Sequence, residues 1–174
     1  MQDKIRKITF LAALAAFAII LGYVEALIPF NFGIPGIKLG LANLVIVIML
    51  FADRFSFGFK DILVVNIIRI VIVGIMFSNV YGIVYSLCGG LISFFAMYII
   101  KKTGAAGVLG VSIIGGVTHN LAQLLVAMVV VEQLKVIYYA PVLLLSGSIC
   151  GAVIGVAGGI LVSRINKIKI DINN

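Results

Sequence analysis

Long apolar stretches alternate with short polar breaks along this chain. We predict a helix in each of six stretches, at approximately 8–28, 36–52, 61–77, 80–100, 107–131 and 136–163. A helix that crosses a bilayer needs about 20 mostly apolar residues, and all six approach or exceed that length. The pattern therefore predicts an all-α integral membrane protein, in which residues 1–174 form a single transmembrane domain of six transmembrane helices.

The charged residues lie mainly in the breaks between the apolar stretches. The chain has 63% hydrophobic residues, 11% charged residues and a net charge of +7. Most basic residues fall on the predicted side of the N-terminus: Lys4, Arg6, Lys7, Arg54, Lys60, Lys101, Lys102, Arg164, Lys167 and Lys169. The opposite side has only Lys38 and Lys135. Because cytoplasmic loops are enriched in Lys and Arg, both termini are predicted to be cytoplasmic, and we infer no nucleic-acid partner.

One break differs from the others in its turn chemistry. The segment PFNFGIPGIK, residues 29–38, contains two prolines and two glycines. These residues interrupt helices, so a compact loop is predicted between the first two spans. With the N-terminus in the cytoplasm, this loop faces outward, above the outer mouth of the helix bundle.

Small residues recur at four-residue spacing on two of the predicted helices. The sixth carries Gly147, Gly151, Gly155 and Gly159, and this spacing lets another helix approach closely. We expect that face to pack within the bundle. The first helix has Ala12 and Ala16 at the same spacing. This second face has two equally supported interpretations, a contact within the bundle and a docking surface for a separate membrane protein.

Several hydrogen-bonding side chains lie inside the apolar stretches. They are Glu25, Asn43, Asn66, Arg69, His119, Asn120 and Gln123. An Arg near the middle of a span costs at least about 2.5 kcal/mol to insert, and it normally faces a partner, a cavity or a ligand. Asn66 precedes Arg69 by one helical turn, and His119 precedes Gln123 by one turn, so each pair shares a helix face. Together these residues predict one polar cavity, built from four helices and open to the outside.

Each polar residue also has a simpler structural explanation. A single Asn can bond a neighbouring helix, a lone buried His is often an interior residue, and Arg69 could pair permanently with Glu25. A His without further His, Cys or Asp nearby makes a poor metal site, so no metal is predicted. These explanations are weaker for the whole set than for any single residue, because four different helices contribute polar side chains. The set therefore favours a substrate-binding role.

The sequence gives little sign of catalysis. It has no GxxxxGK[ST] loop for ATP, its aspartates are scattered, and its serines lack a base with an orienting acid. Cys88 and Cys150 lie inside apolar stretches, where they are expected to act as small buried hydrophobes. We therefore predict no enzyme activity, no catalytic residues and no cofactor.

Two segments carry a resemblance to a known family. The run LAALAAFAIILGYVEALIPFNFGIPGIKLGLANLVIVIML and the later GGVTHNLAQLLVA resemble the Gx transporter family, also called the heptaprenyl diphosphate synthase component I family. The resemblance covers nearly the whole chain, and PGIKLGLAN and HNLAQ are its more specific parts. More distantly, the chain is similar to the S-components of energy-coupling factor (ECF) vitamin transporters, which implies an S-component-like bundle in the bacterial cytoplasmic membrane.

This resemblance implies a transport function. An S-component captures a micronutrient or cofactor precursor from outside and docks on a transmembrane T-component with two ATPase subunits. Ala12 and Ala16 match the alanine spacing used for that docking. Arg69 would then neutralise an anionic group of the substrate, and hydrogen bonds would come from His119, Asn120 and Gln123. The lid would be the outer loop, which contains Asn31, Gly33, Pro35 and Lys38.

Two other functions are also compatible with the sequence. The family's second description implies an accessory membrane subunit of heptaprenyl diphosphate synthesis, the pathway to isoprenoid quinone side chains. Prenyl-chain elongation uses aspartate-rich magnesium sites, which this chain lacks, so such a subunit would be non-catalytic. The third alternative is a purely structural membrane partner that binds no small molecule.

Overall fold

A computed structural model describes residues 2–27, 40–55 and 57–167. Six α-helices occur there: α1 Gln2–Leu27, α2 Asn43–Phe51, α3 Phe59–Phe77, α4 Val80–Thr103, α5 Val108–Val131 and α6 Ala140–Lys167. Two short 3₁₀ segments, Asp53–Phe55 and Leu134–Tyr139, connect them. These described ranges contain no strand, so the prediction of an all-α protein is confirmed.

Four helical segments of the described ranges are long and apolar enough to cross a membrane. They are Ile5–Leu27, Val80–Thr103, Val108–Val131 and Leu134–Lys167. The chain is therefore a multi-pass membrane protein. The helix α3 has sufficient length, with 19 residues, but it carries Lys60, Asp61 and Arg69 and is not among the four.

The second predicted span, 36–52, is wrong in its length. The helix α2 begins only at Asn43, because Gly40 has a left-handed φ of +77° and Leu41 and Ala42 form a turn. Its nine residues rise about 14 Å, roughly half of the hydrocarbon thickness. Residues 45–50 of α2 are almost completely buried, which makes this short helix the centre of the bundle.

The sixth predicted span, 136–163, differs from the structure at both ends. Its first residues belong to the 3₁₀ segment Leu134–Tyr139, and α6 itself continues to Lys167. The fifth prediction, 107–131, agrees with α5 to within one residue. The N-terminus of α4 follows from its cap, because the Asn79 side chain accepts a hydrogen bond of 2.8 Å from the Gly82 N–H.

The glycines of α6 bring it close to α5. A Cβ added at Gly151 would lie 2.7 Å from Ile113 Cα and from the Ser112 carbonyl oxygen. Gly147 faces Gly116 across the same contact, where a Cβ would lie 2.7 Å from the Gly116 oxygen. Gly159 differs, since the nearest atom to its Cβ would be a Val108 methyl group at 4.0 Å. The predicted small-residue packing within the bundle is thus seen along only part of α6.

Polar contacts tie several helix ends together at one end of the bundle. Lys7 of α1 forms a 2.6 Å ion pair with Asp61 at the start of α3. Lys101 of α4 donates to the Leu50 carbonyl oxygen and lies 3.9 Å from Asp53. Asn166 of α6 donates to the Phe51 carbonyl oxygen at 3.3 Å. We call this region the basic end.

Candidate functional site

Arg69 lies at the centre of the buried polar cluster. It sits in the middle of α3, and only 7% of it is exposed. Its Nε donates to Asn66 Oδ1 at 3.1 Å, and its Nη2 donates to Asn43 Oδ1 at 3.2 Å. Two neutral amides from different helices therefore orient one guanidinium.

The same two amides also connect to α4. Asn66 Nδ2 donates to the Gly90 carbonyl oxygen at 3.0 Å, and Asn43 Nδ2 donates to Ser93 Oγ at 3.4 Å. Gly90 permits this approach, because a Cβ there would lie 2.7 Å from Ile70 Cδ1. The Arg69 position is thus fixed by α2, α3 and α4 together.

A small cavity of about 20 Å³ adjoins Arg69. Its polar lining consists of Glu25, Arg69, Ser86 and His119, and its other walls are Gly22, Gly40, Ile70 and Val73. A space of this size holds about one water molecule. An organic molecule cannot be enclosed there without movement of the walls.

Glu25 places a carboxylate beside the Arg69 cavity. It lies near the end of α1, is buried, and accepts a hydrogen bond from the Gly40 N–H. The opposite charges of Glu25 and Arg69 attract each other within the cluster. The hydrogen bond between the Gly40 N–H and Glu25 also joins α1 to the turn that precedes α2.

His119 and Gln123 reach the cluster from α5. Both are buried, and they pack against Gly89, where a Cβ would lie 3.0 Å from His119 Cε1 and from Gln123 Cγ. The absence of a side chain at Gly89 therefore lets α5 approach α4 at the polar cluster. His119 lines the cavity, whereas Gln123 packs one turn further along α5.

Asn120 points in another direction. Its Nδ2 donates to the Leu143 carbonyl oxygen at 2.9 Å and to Ser146 Oγ at 3.1 Å, both on α6. It is not among the residues that line the cavity. In this structure its hydrogen bonds join α5 to α6.

Sequence reasoning missed Ser86 and Ser93 of α4. Ser86 lines the cavity, is 8% exposed, and its Oγ has no hydrogen-bond partner within the described residues. Ser93 contacts Asn43. The signal was present in the spacing, because Ser86, Gly90 and Ser93 fall on one face of a helix and make it small and polar.

The remaining predicted functional residues lie elsewhere or outside the described residues. Ala12 and Ala16 are exposed on α1. The predicted lid residues Asn31, Gly33, Pro35 and Lys38 all fall within 28–39, which the structure does not describe. Within the described ranges, no group of three His, Cys, Asp or Glu side chains is arranged to hold a metal ion.

The chemistry of the cluster favours binding. Arg69 stays charged, and a buried guanidinium is a strong partner for carboxylate or phosphate groups. Ser86 and His119 add hydrogen-bonding atoms at the same cavity, and Glu25 adds a negative charge. The arrangement can therefore recognise an anionic group that also offers a hydrogen-bond donor.

Comparison with known proteins yields one family. The search against curated proteins gave no match, and neither did the search against solved structures. The family model described as heptaprenyl diphosphate synthase component I matches residues 14–161, a range that includes every residue lining the Arg69 cavity. Since this match covers most of the chain, the protein belongs to the heptaprenyl diphosphate synthase component I family.

Proposed function

We propose that this chain is a membrane subunit that binds a small molecule through an anionic group beside Arg69. The observation that carries the proposal is the buried Arg69, held by the neutral amides of Asn43 and Asn66 next to a cavity. A charge at this position is expensive in a membrane protein, and such residues generally mark a ligand or ion site.

The family description supports one role for this subunit, as the accessory membrane component of heptaprenyl diphosphate synthesis. The words "component I" point to a further component that acts with it. The prediction that this chain is not itself an enzyme is confirmed, since the family is the non-catalytic component of the synthase. In this role, the walls of the Arg69 cavity would move apart to hold the diphosphate of a prenyl substrate or product.

A second role, that of an ECF S-component, is favoured by two specific observations. The cavity lies between helices near the end of α1 opposite the basic end, where a solute from outside would enter. Ala12 and Ala16 are exposed on α1, as a docking face for a T-component requires. In this role the chain captures an anionic nutrient and works with a T-component and two ATPase subunits.

The proposal includes a topology in the bacterial cytoplasmic membrane. We place both termini in the cytoplasm and propose that the chain crosses the membrane six times, with the nine residues of α2 covering only part of the second crossing. The basic end supports this arrangement, because it brings together the start of α1, the end of α2 and the start of α3. These ends meet the last turn of α4 there, as six alternating crossings require.

Mass spectrometry of the small molecules retained by the purified protein tests the binding function. We expect an anionic molecule on the unaltered protein and its loss, by at least about tenfold, in Arg69→Gln, because a buried charged hydrogen bond is worth roughly 1.5–3 kcal/mol. Arg164→Gln is the matched control, since Arg164 is exposed in the last turn of α6. Equal retention by both variants would rule out Arg69 as the binding group.

Copurification then separates the two roles. An accessory component should associate with a soluble prenyltransferase, and its deletion should change the length of the prenyl product. An S-component should copurify with a T-component and ATPases, and Ala12→Leu with Ala16→Leu should release them while leaving the retained molecule bound. Retention of neither set of partners by a ligand-loaded protein would exclude both roles.

A further inference from the structure

The helix α4 presents an exposed apolar face that ends in a lysine at the basic end. Its exposed side chains include Ile92, Phe95, Ile99 and Lys102. Intervals of three and four residues place these four on one helix face, which we call the α4 stripe. The helix is long and apolar enough to cross the membrane and ends at Thr103, so Lys102 lies where it leaves the hydrocarbon.

The neighbouring helix α3 has an exposed face of the same kind. It begins with Lys60 in the first turn and continues with apolar side chains at helical spacing. These apolar side chains are Val64, Ile67, Ile68, Val71 and Ile75. We call this face the α3 stripe. Each stripe therefore combines an exposed apolar surface with one lysine at its end.

Aromatic rings join the two stripes at the basic end. The Phe59 ring centroid lies 4.9 Å from that of Tyr98 and 5.7 Å from that of Phe95. Lys60 directly follows Phe59, and Lys102 Nζ lies 5.6 Å from the Tyr98 ring centroid. The two lysines therefore flank one aromatic surface. Tyrosine is common at the level of lipid headgroups, which agrees with this position at the end of α4.

The nearby acidic side chains do not neutralise the lysines of the stripes. Asp61 forms its 2.6 Å ion pair with Lys7, and Asp53 lies 3.9 Å from Lys101. Neither stripe lysine takes part in an ion pair within the described part of the chain. Both are exposed, so two positive charges are available to a partner at this surface.

We propose that the α3 and α4 stripes together bind one anionic phospholipid, with its phosphate between Lys60 and Lys102 and its acyl chains along the apolar side chains. Clustered lysines at a membrane surface attract anionic headgroups, and their long stems extend over apolar surface toward the interface. A free phosphate would contact only the lysines, whereas a lipid matches both the charges and the apolar stripes. The inference goes beyond the proposed function, because it uses neither Arg69 nor its cavity.

The helix α6 provides a matched control surface. Its exposed side chains at helical spacing are Val153, Val156, Ile160, Arg164 and Lys167. They also form an apolar stripe that ends in basic residues at the basic end. Both of these cations lie on one helix, whereas the proposed lipid site takes its cations from two. Charge and apolarity are thus matched while the geometry differs.

Brominated lipids can measure the lipid preference at each surface. The chain contains no tryptophan, so Ile99→Trp and Ile160→Trp, in separate proteins, each introduce one fluorescent reporter near the basic residues. The full chain is reconstituted in vesicles that mix phosphatidylcholine with phosphatidylglycerol, only one of which has brominated chains. Quenching then gives the relative binding constant of the anionic lipid. We expect a preference of at least about threefold at Ile99→Trp and about equal binding at Ile160→Trp.

Removal of charge tests the role of the lysines. Lys60→Gln with Lys102→Gln, in the Ile99→Trp protein, should reduce the preference to about equal binding, because the attraction between the cations and the headgroup is lost. Arg164→Gln with Lys167→Gln removes the same charge from the basic end. This second pair should leave the preference at Ile99→Trp unchanged.

The results also separate a specific site from diffuse attraction by a basic surface. The same preference at both reporters, or the same loss in both charge variants, would mean diffuse attraction and would overturn the inference. Equal binding of the two lipids at Ile99→Trp would exclude the site directly. None of these results concerns Arg69, so the proposed function stands or fails separately, on the molecule lost in Arg69→Gln.

Discussion

Asn66 is the residue on which the Arg69 geometry most depends. Its side-chain oxygen accepts from Arg69 Nε, and its nitrogen donates to the Gly90 carbonyl oxygen. One amide thus joins the guanidinium to α4. Its removal leaves the buried Arg69 Nε donor without this acceptor and breaks the link to the Gly90 carbonyl oxygen.

We therefore predict that Asn66→Ala destabilises the protein by about 1–3 kcal/mol. The measurement is the apparent Tm of the detergent-solubilised protein, which should fall by several degrees. Asn166→Ala is the control, because Asn166 is exposed and makes only a 3.3 Å bond to the Phe51 oxygen. Equal Tm values for the two variants would show that the Asn66 bridge contributes nothing.

Most of the residues in the candidate site could be predicted from the sequence, but their hydrogen-bond partners could not. Glu25, Arg69 and His119 stand out because ionisable groups are rare in apolar stretches. Adjacent residues of a helix point about 100° apart, so His119 faces the cavity while Asn120 faces α6. Ser86 escaped notice because a serine is unremarkable in a membrane helix, and only the tertiary contacts give it meaning.

At the scale of elements, the contact between α5 and α6 depends on particular glycines. At Gly147 and Gly151, helix backbones come so close that a methyl group would collide. At Gly159 the same sequence spacing continues without such a contact. Regular spacing in the sequence therefore overestimates the length over which the two helices touch.

Alanine substitutions at two of these glycines should have different effects on stability. Gly151→Ala is expected to destabilise the protein by about 1–3 kcal/mol, because the new Cβ overlaps the α5 backbone. Gly159→Ala should be neutral or stabilise it by up to about 1 kcal/mol, since Ala favours the helix and the site is open. Apparent Tm values compare them, and a similar loss at both positions would contradict the packing described.

The sequence predicted the presence of α2 but not its length. The apolar stretch begins near residue 36, and composition alone cannot show that Gly40 adopts a positive φ and delays the helix to Asn43. Its run LVIVIML has no polar face, which is typical of a helix buried on all sides. The burial of α2 on all sides could therefore be predicted from the sequence. Its first residue could not, because it depends on the conformation of Gly40 in the folded protein.

At the scale of the whole molecule, the connection between α2 and α3 decides the topology. If α2 and α3 both cross the membrane, Asp53 lies on the same side as Lys102. If neither crosses, Asp53 lies on the opposite side. The other loops keep the same sides under both topologies, so this connection is the informative position.

We expect Asp53 and Lys102 to be cytoplasmic and Lys135 to be external. With Cys88 and Cys150 replaced by Ala, Asp53→Cys and Lys102→Cys should react with a membrane-impermeant maleimide only after the cells are permeabilised. Lys135→Cys should react in intact cells. Labelling of Asp53→Cys in intact cells would disprove six crossings.

The enclosure of α2 also bears on how the site responds to a ligand. Asn43 is the first residue of this helix, so the amide that holds Arg69 Nη2 is anchored in the most completely buried helix of the described residues. It cannot follow an incoming group without unpacking the core. The guanidinium is therefore preorganised, and an arriving anion meets a charge whose orientation has already been set during folding.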